Sequence, residues 1–271
     1  MAGGLKLHAA AVARVLPRGG GAERLGREER LVFVLGSPRS GTTFLASTIG
    51  ALPGFVDLGE VLPFKSAIPD LVGLQEDEAA RRVRRILERV RRLALVRGLR
   101  GVEQTPETAF VVQAAARAYP QARRIHLVRD GRDVVCSLLE RGWLNASRDR
   151  QADDVGGSYG ARARFWVEPD RVGEFEQASD ATRAAWAWRR YVSAARSGDV
   201  FELRYEDVAA DPERAAAVLG EQLGVQAPVL LESLSRVHAR SVGRYRSDLT
   251  ADHLRDVERE AGPLLAELGY E

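Results

Sequence analysis

An unbroken apolar run that leads into a glycine-bounded loop and then into a helical pattern constrains the fold of this chain most strongly. The run is LVFVL (31–35), the loop is GSPRSG (36–41), and the apolar residues of TTFLASTIGAL (42–52) have helical spacing. A continuous run of strand-forming residues is typical of a strand buried on both faces of a parallel sheet. The loop and the helix start would place unpaired backbone N–H groups around one point, and such an arrangement binds anions. The sequence therefore predicts an anion-binding loop after a buried strand.

Strand patterns alternate with helical patterns along most of the chain. After the first strand, the strand patterns lie in GFVDLGE (54–60), GVEQTPET (101–108), RRIHLVRDGRDVVCSLLERGW (123–143) and VFELRYEDV (200–208). Such alternation implies a parallel, doubly wound sheet. We predict a P-loop-like three-layer α/β fold, in which helices flank a central parallel sheet. Because 271 residues are enough for one large α/β domain, we expect a single domain over 31–271 that follows a leader over 1–30.

Charge and cysteine content exclude several classes of protein. The net charge is +2, which creates no global field for a polyanion, so we predict no nucleic-acid partner. Cys136 is the one cysteine, which excludes an intrachain disulfide and a CxxC site and fits a reducing cytoplasm. No apolar run approaches the ~20 residues of a membrane span. We therefore predict a cytoplasmic protein without a transmembrane segment.

The glycine-bounded loop differs from a nucleoside-triphosphate loop at one position. Gly36 and Gly41 have the glycine spacing of that loop, but Thr42 stands where its lysine is expected, and Thr43 takes the hydroxyl position. Arg39 supplies a cation earlier in the loop. This pattern disfavours ATP or GTP with Mg²⁺ and favours a shorter phospho-anhydride group. The alternative is a glycine turn without a chemical role.

A second anion site is predicted where LVRDGRD (127–133) follows a strand pattern. Arg129 would lie at the carboxyl end of that strand, where ligands of open α/β sheets bind. Ser137 and Arg141 are four residues apart in the next helical pattern, so they share one helix face. Two arginines and a hydroxyl can bind one phosphate group. The alternative is a structural network of arginines with Asp130 and Asp133.

These motifs resemble a known family. GSPRSGTTFL (36–45) and RRIHLVRDGRDVVCSLL (123–139) are similar to the 5′-phosphosulfate and 3′-phosphate motifs of sulfotransferases that use 3′-phosphoadenosine 5′-phosphosulfate (PAPS). FELRYEDV (201–208) and SVGRYRSDLT (241–250) resemble later signatures of the same family. The PRSGTT…GE arrangement, with Arg39 and Glu60, is similar to that of the tyrosylprotein sulfotransferases, in which the glutamate is the base.

The resemblance implies a role for each matching residue. Glu60 would be the catalytic base, and Arg39 would stabilise the leaving group beside the sulfonate. Gln104 departs from the family, because many relatives have a lysine there that helps to stabilise the leaving group. The implied donor-binding residues are Ser40, Gly41, Thr42 and Thr43 for the 5′-phosphate, Arg129, Ser137 and Arg141 for the 3′-phosphate, and Pro38, Arg39, Tyr205 and Arg244 for other parts of the donor.

The function that the resemblance implies is in-line transfer of a sulfonate group from PAPS, without a metal, to an acceptor hydroxyl or amine. Small-molecule, carbohydrate, lipid and peptide acceptors remain open. Residues 61–75 and 144–180 are expected to line the acceptor pocket, the second as a long functional loop. Four tryptophans are either walls of this pocket or core residues: Trp143, Trp166, Trp186 and Trp188. The alternatives are a P-loop small-molecule kinase and a catalytically weak module that binds PAPS or its product, 3′-phosphoadenosine 5′-phosphate (PAP). Gln104 favours the weak module.

Overall fold

A parallel sheet of five strands forms the centre of the computed structural model, which describes residues 31–93, 99–142, 144, 164–237 and 239–270. The strands are β1 (Leu31–Leu35), β2 (Phe55–Gly59), β3 (Arg100–Glu103), β4 (Arg123–Val128) and β5 (Phe201–Arg204). Their order across the sheet is β2-β3-β1-β4-β5, and every neighbouring pair is parallel. The predicted fold class is confirmed. The strand predicted over 200–208 is shorter, because a helix begins at Tyr205.

Helices occupy most of the remaining described chain. Three short 3₁₀ segments, Pro106–Val111, Pro169–Arg171 and Ala239–Ser241, lie among them. The α-helices are α1 (Thr42–Gly50), α2 (Leu62–Lys65), α3 (Ile68–Leu71), α4 (Glu76–Leu93), α5 (Val112–Ala118), α6 (Gly131–Arg141), α7 (Val172–Gln177), α8 (Asp180–Arg196), α9 (Tyr205–Ala210), α10 (Pro212–Leu223), α11 (Ala227–Leu234), α12 (Tyr245–Asp248) and α13 (Ala251–Glu267).

The side chains of β1 alternate between two apolar layers. Leu31, Phe33 and Leu35 pack in a cluster with α4, α5 and α8, whereas Val32 and Val34 pack in a cluster with α1, α10 and α11. A third cluster joins the end of β4 to α6, α8 and α13. Because both faces of β1 are covered, its uninterrupted apolar sequence is explained.

The carboxyl ends of β1 and β4 form the switch point of the sheet. These two strands are neighbours, but the chain leaves β1 toward β2 on one side and leaves β4 toward β5 on the other. Helix α1 packs on one face of the sheet, and α6 packs with α8 on the opposite face. Loops at such a point diverge and leave a crevice in which ligands of open α/β folds bind. Both predicted anion loops follow these two strands.

Part of the predicted acceptor-pocket loop belongs to the core instead. Within 164–180, Trp166 and Phe175 are buried in the cluster that covers β1, and α7 occupies part of the segment. Large aromatic side chains gain more from burial than from lining an open loop, so the expectation of a long loop is wrong for this part. Residues 145–163, Trp143 and the leader over 1–30 lie outside the described residues. None of the described helices is long and apolar enough to cross a membrane.

Candidate active site

The loop after β1 has a conformation that bends the chain sharply toward α1. Gly41 precedes the helix with φ 94°, in the left-handed region. A Cβ added there would lie 2.8 Å from the Tyr205 ring, so only glycine fits both the backbone and the neighbouring ring. Arg39 has φ 72° and is the one non-glycine residue with positive φ in the described chain. Such conformations are costly and cluster at functional sites.

The polar side chains of this loop differ in their exposure and in their hydrogen bonds. Ser40 is 0% exposed, and its Oγ has no hydrogen-bond partner. Thr42 is buried, Pro38 is half-buried, and Thr43 is exposed. The Thr43 hydroxyl donates to Gln104 Oε1 over 3.3 Å. A buried hydroxyl without a partner is unfavourable in the protein alone, so Ser40 indicates that a ligand oxygen or proton acceptor belongs in this loop.

The second junction places a buried arginine among backbone oxygens. Arg129 is 6% exposed, and its guanidinium donates to the backbone oxygens of Arg39, over 3.1 Å, and Ser241. Its Nε is buried without a partner. Within the part of the chain that the structure describes, no carboxylate lies within 4 Å of this guanidinium. Because a buried arginine without a direct ion pair keeps donors for a further acceptor, this arginine is suited to an anionic ligand.

The two aspartates of the alternative network have other hydrogen-bond partners than Arg129. Asp130 caps α6, accepts the Arg132 backbone N–H over 2.9 Å and pairs with the Arg132 guanidinium over 2.8 Å. Asp133 accepts the backbone N–H groups of Gly243 and Tyr245 over 2.7 and 3.0 Å. Asp133 thus holds the C-terminal loop against α6; burial raises its pKa, and the nearby positive charge of Arg129 opposes that rise.

The two predicted anion loops are in direct contact. Arg39 Nε donates to Ser137 Oγ over 2.9 Å, and Ser137 itself is buried on α6. Burial lowers the pKa of Arg39, and the positive charges of Arg141 and Arg129 lower it further. Three guanidinium groups therefore converge on one crevice. Mutual repulsion of this kind is relieved when a ligand with several negative charges binds between them.

Tyr205 forms one wall of the same crevice. Its ring lies against Gly41, the Arg129 guanidinium carbon is 4.8 Å from the ring centroid, and its hydroxyl is 3.2 Å from Ser241 Oγ. Arg244 is farther along the C-terminal loop and pairs with Glu140 and Asp248. Its role in closing over a donor remains a prediction.

Glu60 lies at the carboxyl end of β2, on the other side of β3 from the anion loop. Its side chain is 38% exposed, and its Oε2 is 2.7 Å from Lys65 Nζ. Lys65 is buried and also lies 3.5 Å from Glu107 Oε1. The site thus has an exposed carboxylate that is held from behind by a buried lysine.

Gln104 connects the anion loop with the strand that carries Glu60. Its backbone N–H donates to the Gly59 oxygen over 3.4 Å, and its side-chain oxygen accepts from Thr43. A neutral amide can accept this hydrogen bond, whereas a lysine at the same position could not. Gln104 therefore fixes the distance between the two halves of the site and contributes no charge.

Sequence reasoning missed Lys65, Ser241 and the structural role of Trp188. Lys65 is one of only two lysines among 40 basic residues, and this rarity was the signal that could have identified it. Trp188 was a candidate pocket wall, but it is fully buried, and its Nε1 donates to the Arg129 backbone oxygen over 3.0 Å. Trp166 and Trp186 are also fully buried, so core packing is the correct interpretation of all three.

Comparison with known proteins relates this chain to the sulfotransferases. A family model described as "Sulfotransferase family" matches residues 77–228, more than half of the chain. A Caenorhabditis briggsae relative, named after the protein-tyrosine sulfotransferases, is 28% identical over 131 residues. That match covers 43% of this chain and 45% of the relative, so the chain aligns with less than half of that protein.

Solved sulfotransferase structures share the fold along most of the chain. A sulfotransferase domain from the curacin biosynthetic pathway has a TM-score of 0.54 at 14% identity and covers 91% of this chain and 99% of its own. Mouse sulfotransferase SULT7A1, solved as a complex with PAP, has a TM-score of 0.52 at 14% identity and covers 89% of each chain. At this identity the similarity concerns the architecture.

Proposed function

The chain belongs to the sulfotransferase family, and we infer that it is an enzyme that transfers a sulfonate group from PAPS to an acceptor hydroxyl or amine. The observation that carries this proposal is the pair of buried, unpartnered polar atoms at the switch point, Ser40 Oγ and Arg129 Nε. They belong to two different junctions that contact each other through Arg39. One ligand with two separate anionic groups satisfies both junctions, and PAPS has this chemistry.

We assign the loop over 38–43 to the 5′-phosphosulfate of PAPS and Arg129, Ser137 and Arg141 to its 3′-phosphate. The N–H groups at the start of α1 have no partners within the helix, so they can bind phosphate oxygens. Tyr205, which packs beside Arg129, would contact the nucleoside between the two anionic ends. When bound, PAPS supplies the sulfonate group that is transferred.

Arg39 must change its partner when the donor binds. Its Nε now donates to Ser137, which we assign to the 3′-phosphate, whereas its proposed role is at the opposite end of the donor. The guanidinium would exchange the serine hydroxyl for oxygens near the sulfonate, and a charge-assisted hydrogen bond is stronger than the neutral one it replaces. The exchange frees Ser137 for the 3′-phosphate.

Glu60 is the proposed general base. It would accept the proton of the acceptor as the acceptor oxygen or nitrogen forms its bond to sulfur. The bond between sulfur and the bridging oxygen breaks, and its electron pair leaves with PAP. Arg39 and the backbone N–H groups of the loop stabilise the charge that develops on that oxygen, for which one well-placed donor contributes about 3–4 kcal/mol.

A thermal-shift panel separates this proposal from a kinase. We expect PAP to raise the melting temperature and ATP with Mg²⁺ to leave it unchanged, because ligand binding stabilises the folded state by mass action. Stabilisation by ATP with Mg²⁺ alone would reject the donor assignment and favour the kinase. The panel is followed by turnover of PAPS with a pool of hydroxyl and amine acceptors that includes tyrosine peptides. Binding of PAP without any turnover would favour the weak binding module.

The role of Glu60 is tested by Glu60→Gln. We expect transfer to be nearly abolished, while the affinity for PAP stays unchanged, because the side chain lies two strands away from the anion loop. Asp70→Asn removes a carboxylate from the neighbouring short helix α3 and serves as the control. Unchanged turnover in Glu60→Gln would assign the base to another residue.

A further inference from the structure

A buried lysine stands directly behind the proposed base. Lys65 Nζ is 2.7 Å from Glu60 Oε2 and 3.5 Å from Glu107 Oε1. The Lys65 side chain is 8% exposed and that of Glu107 is 1% exposed. Glu107 Oε1 also accepts the Tyr191 hydroxyl over 3.3 Å, and Tyr191 belongs to the apolar core. A continuous row of polar contacts therefore runs from the core to the exposed carboxylate of Glu60.

The charges in this row favour a permanently protonated lysine. Burial opposes the charged form of Lys65, but the nearby carboxylates of Glu107 and Glu60 outweigh it, so the pKa of Lys65 is raised. Burial raises the pKa of Glu107, whereas the positive charge of Lys65 and its hydrogen bond favour the ionised carboxylate. In that ionised form Lys65 and Glu107 are a neutral buried pair, to which Glu60 adds one negative charge at the surface. When Glu60 accepts a proton, the neutral pair is left behind, and no buried charge loses its partner.

The backbone around Glu60 is anchored to the same segment. The Val61 N–H donates to the Thr105 hydroxyl over 3.1 Å, and Thr105 directly precedes the 3₁₀ segment that contains Glu107. Lys65 ends the single turn of α2, and its N–H donates to the Val61 oxygen over 2.8 Å. Two contacts, one from the backbone and one from the lysine, therefore dock the turn that carries Glu60 onto one rigid neighbour.

We propose that Lys65 is a positioning residue that holds Glu60 Oε2 and leaves Glu60 Oε1 to accept the proton of the acceptor. The proposal rests on the proposed function, because it assigns Lys65 a role in the same transfer reaction. A glutamate on a surface turn has several rotamers of similar energy, and a base must stay within about 3 Å of the proton that it accepts. The lysine selects one rotamer, and the carboxylate then presents a fixed oxygen.

The test compares Glu107→Gln with the double variant Lys65→Met/Glu107→Gln. Glutamine at 107 can still accept the Tyr191 hydroxyl and removes the buried charge that Lys65→Met alone would leave without a partner. Against the single variant, we expect the double variant to lower kcat about 10- to 100-fold, because loss of positioning near the reacting atoms has effects of this size. PAP affinity is expected to stay within about twofold, because Lys65 lies beside Glu60 and not beside the two anion loops.

Two further variants separate positioning from a loss of charge or of fold. Lys65→Arg keeps a cationic donor and is expected to recover most of kcat. Arg82→Met removes an exposed ion pair with Glu78 on α4 and is expected to leave kcat unchanged. Equal kcat values in the single and double variants would overturn the proposal, and so would unfolding of the double variant, since Lys65 would then be a core residue. An unmodified enzyme that binds PAP but has no turnover would instead refute the proposed function, and the role of Lys65 with it.

Discussion

Replacement of Arg129 by methionine tests the assignment of the 3′-phosphate. Methionine has a similar length and no charge, so the variant removes the guanidinium while the volume beside Tyr205 stays filled. PAP and adenosine 5′-phosphate are the matched ligands, because they differ only in the 3′-phosphate. If Arg129 binds that group, the variant weakens PAP more than adenosine 5′-phosphate.

The structure separates the expected loss into two parts. Arg129 donates to the backbone oxygens of Arg39 and Ser241, and each of these bonds contributes roughly 1 kcal/mol to the order of the two loops. This loss affects both ligands equally. A hydrogen bond between a buried arginine and a phosphate contributes about 1.5–3 kcal/mol more. Since 1.4 kcal/mol corresponds to a tenfold change in Kd, PAP should lose about 10- to 150-fold more affinity than adenosine 5′-phosphate.

Isothermal titration calorimetry of both ligands measures this difference directly. Arg124→Met is the control, because Arg124 lies at the amino end of the same strand and pairs with the exposed Asp199. Arg124→Met therefore removes the same charge at the amino end of β4, whereas Arg129 follows its carboxyl end. Equal weakening of the two ligands by Arg129→Met would refute the assignment, since the loss would then come only from the loops.

Two other predictions concern the loop conformation and a buried carboxylate. Gly41→Ala and its control Gly54→Ala both place alanine at positive φ, and each is expected to cost about 1–2 kcal/mol of stability in thermal or urea unfolding. Only the Gly41→Ala side chain contacts the Tyr205 ring, so only this variant should also bind PAP at least tenfold more weakly in calorimetry. Equal PAP affinity in the two variants would contradict this prediction. Burial raises the pKa of Glu103 from 4.5 to about 7, so the folded state holds a proton that the unfolded state has lost, and stability falls as pH rises from 4.5 to 7. Between pH 4.5 and 8, the unfolding free energy of Glu103→Gln should therefore rise by about 3 kcal/mol relative to that of the unmodified protein. Parallel curves of unfolding free energy against pH for the two proteins would contradict this prediction.

The parts of the fold and site that could be predicted are those encoded by neighbouring residues. LVFVLGSPRSGTT (31–43) specifies a buried strand, a tight loop and a helix start within thirteen residues, and the structure contains all three. The same holds for β4 and α6, so the two anion loops followed from local patterns. Their contact through Arg39 and Ser137 did not, because it depends on β1 and β4 being neighbours in the sheet.

Contacts between distant segments account for what the sequence could not provide. Lys65 and Glu107 are 42 residues apart, and no periodicity relates them. Gln104 was interpreted as a missing cation, but its contact with Thr43 depends on the relative position of β3 and α1. The aromatics of 164–175 were assigned to a loop because glycine, aspartate and arginine surround them. Burial in the shared core outweighs this local polarity.

Positive and negative charges of the proposed site lie at different strands of the sheet. Arg39, Arg129 and Arg141 converge at the ends of β1 and β4, whereas Glu60 and Glu107 lie beyond β2 and β3 with Lys65 between them. Neighbouring strands are about 4.8 Å apart, so the carboxyl ends of β1 and β2 are separated by roughly 10 Å. During transfer, negative charge leaves with PAP on the arginine side, and a proton arrives on the carboxylate side. Both movements neutralise charge where it is already in excess, because the ligand anion offsets repelling guanidinium groups and the proton offsets the surplus carboxylate. The neutral Gln104 lies between the two halves and adds no charge to either of them.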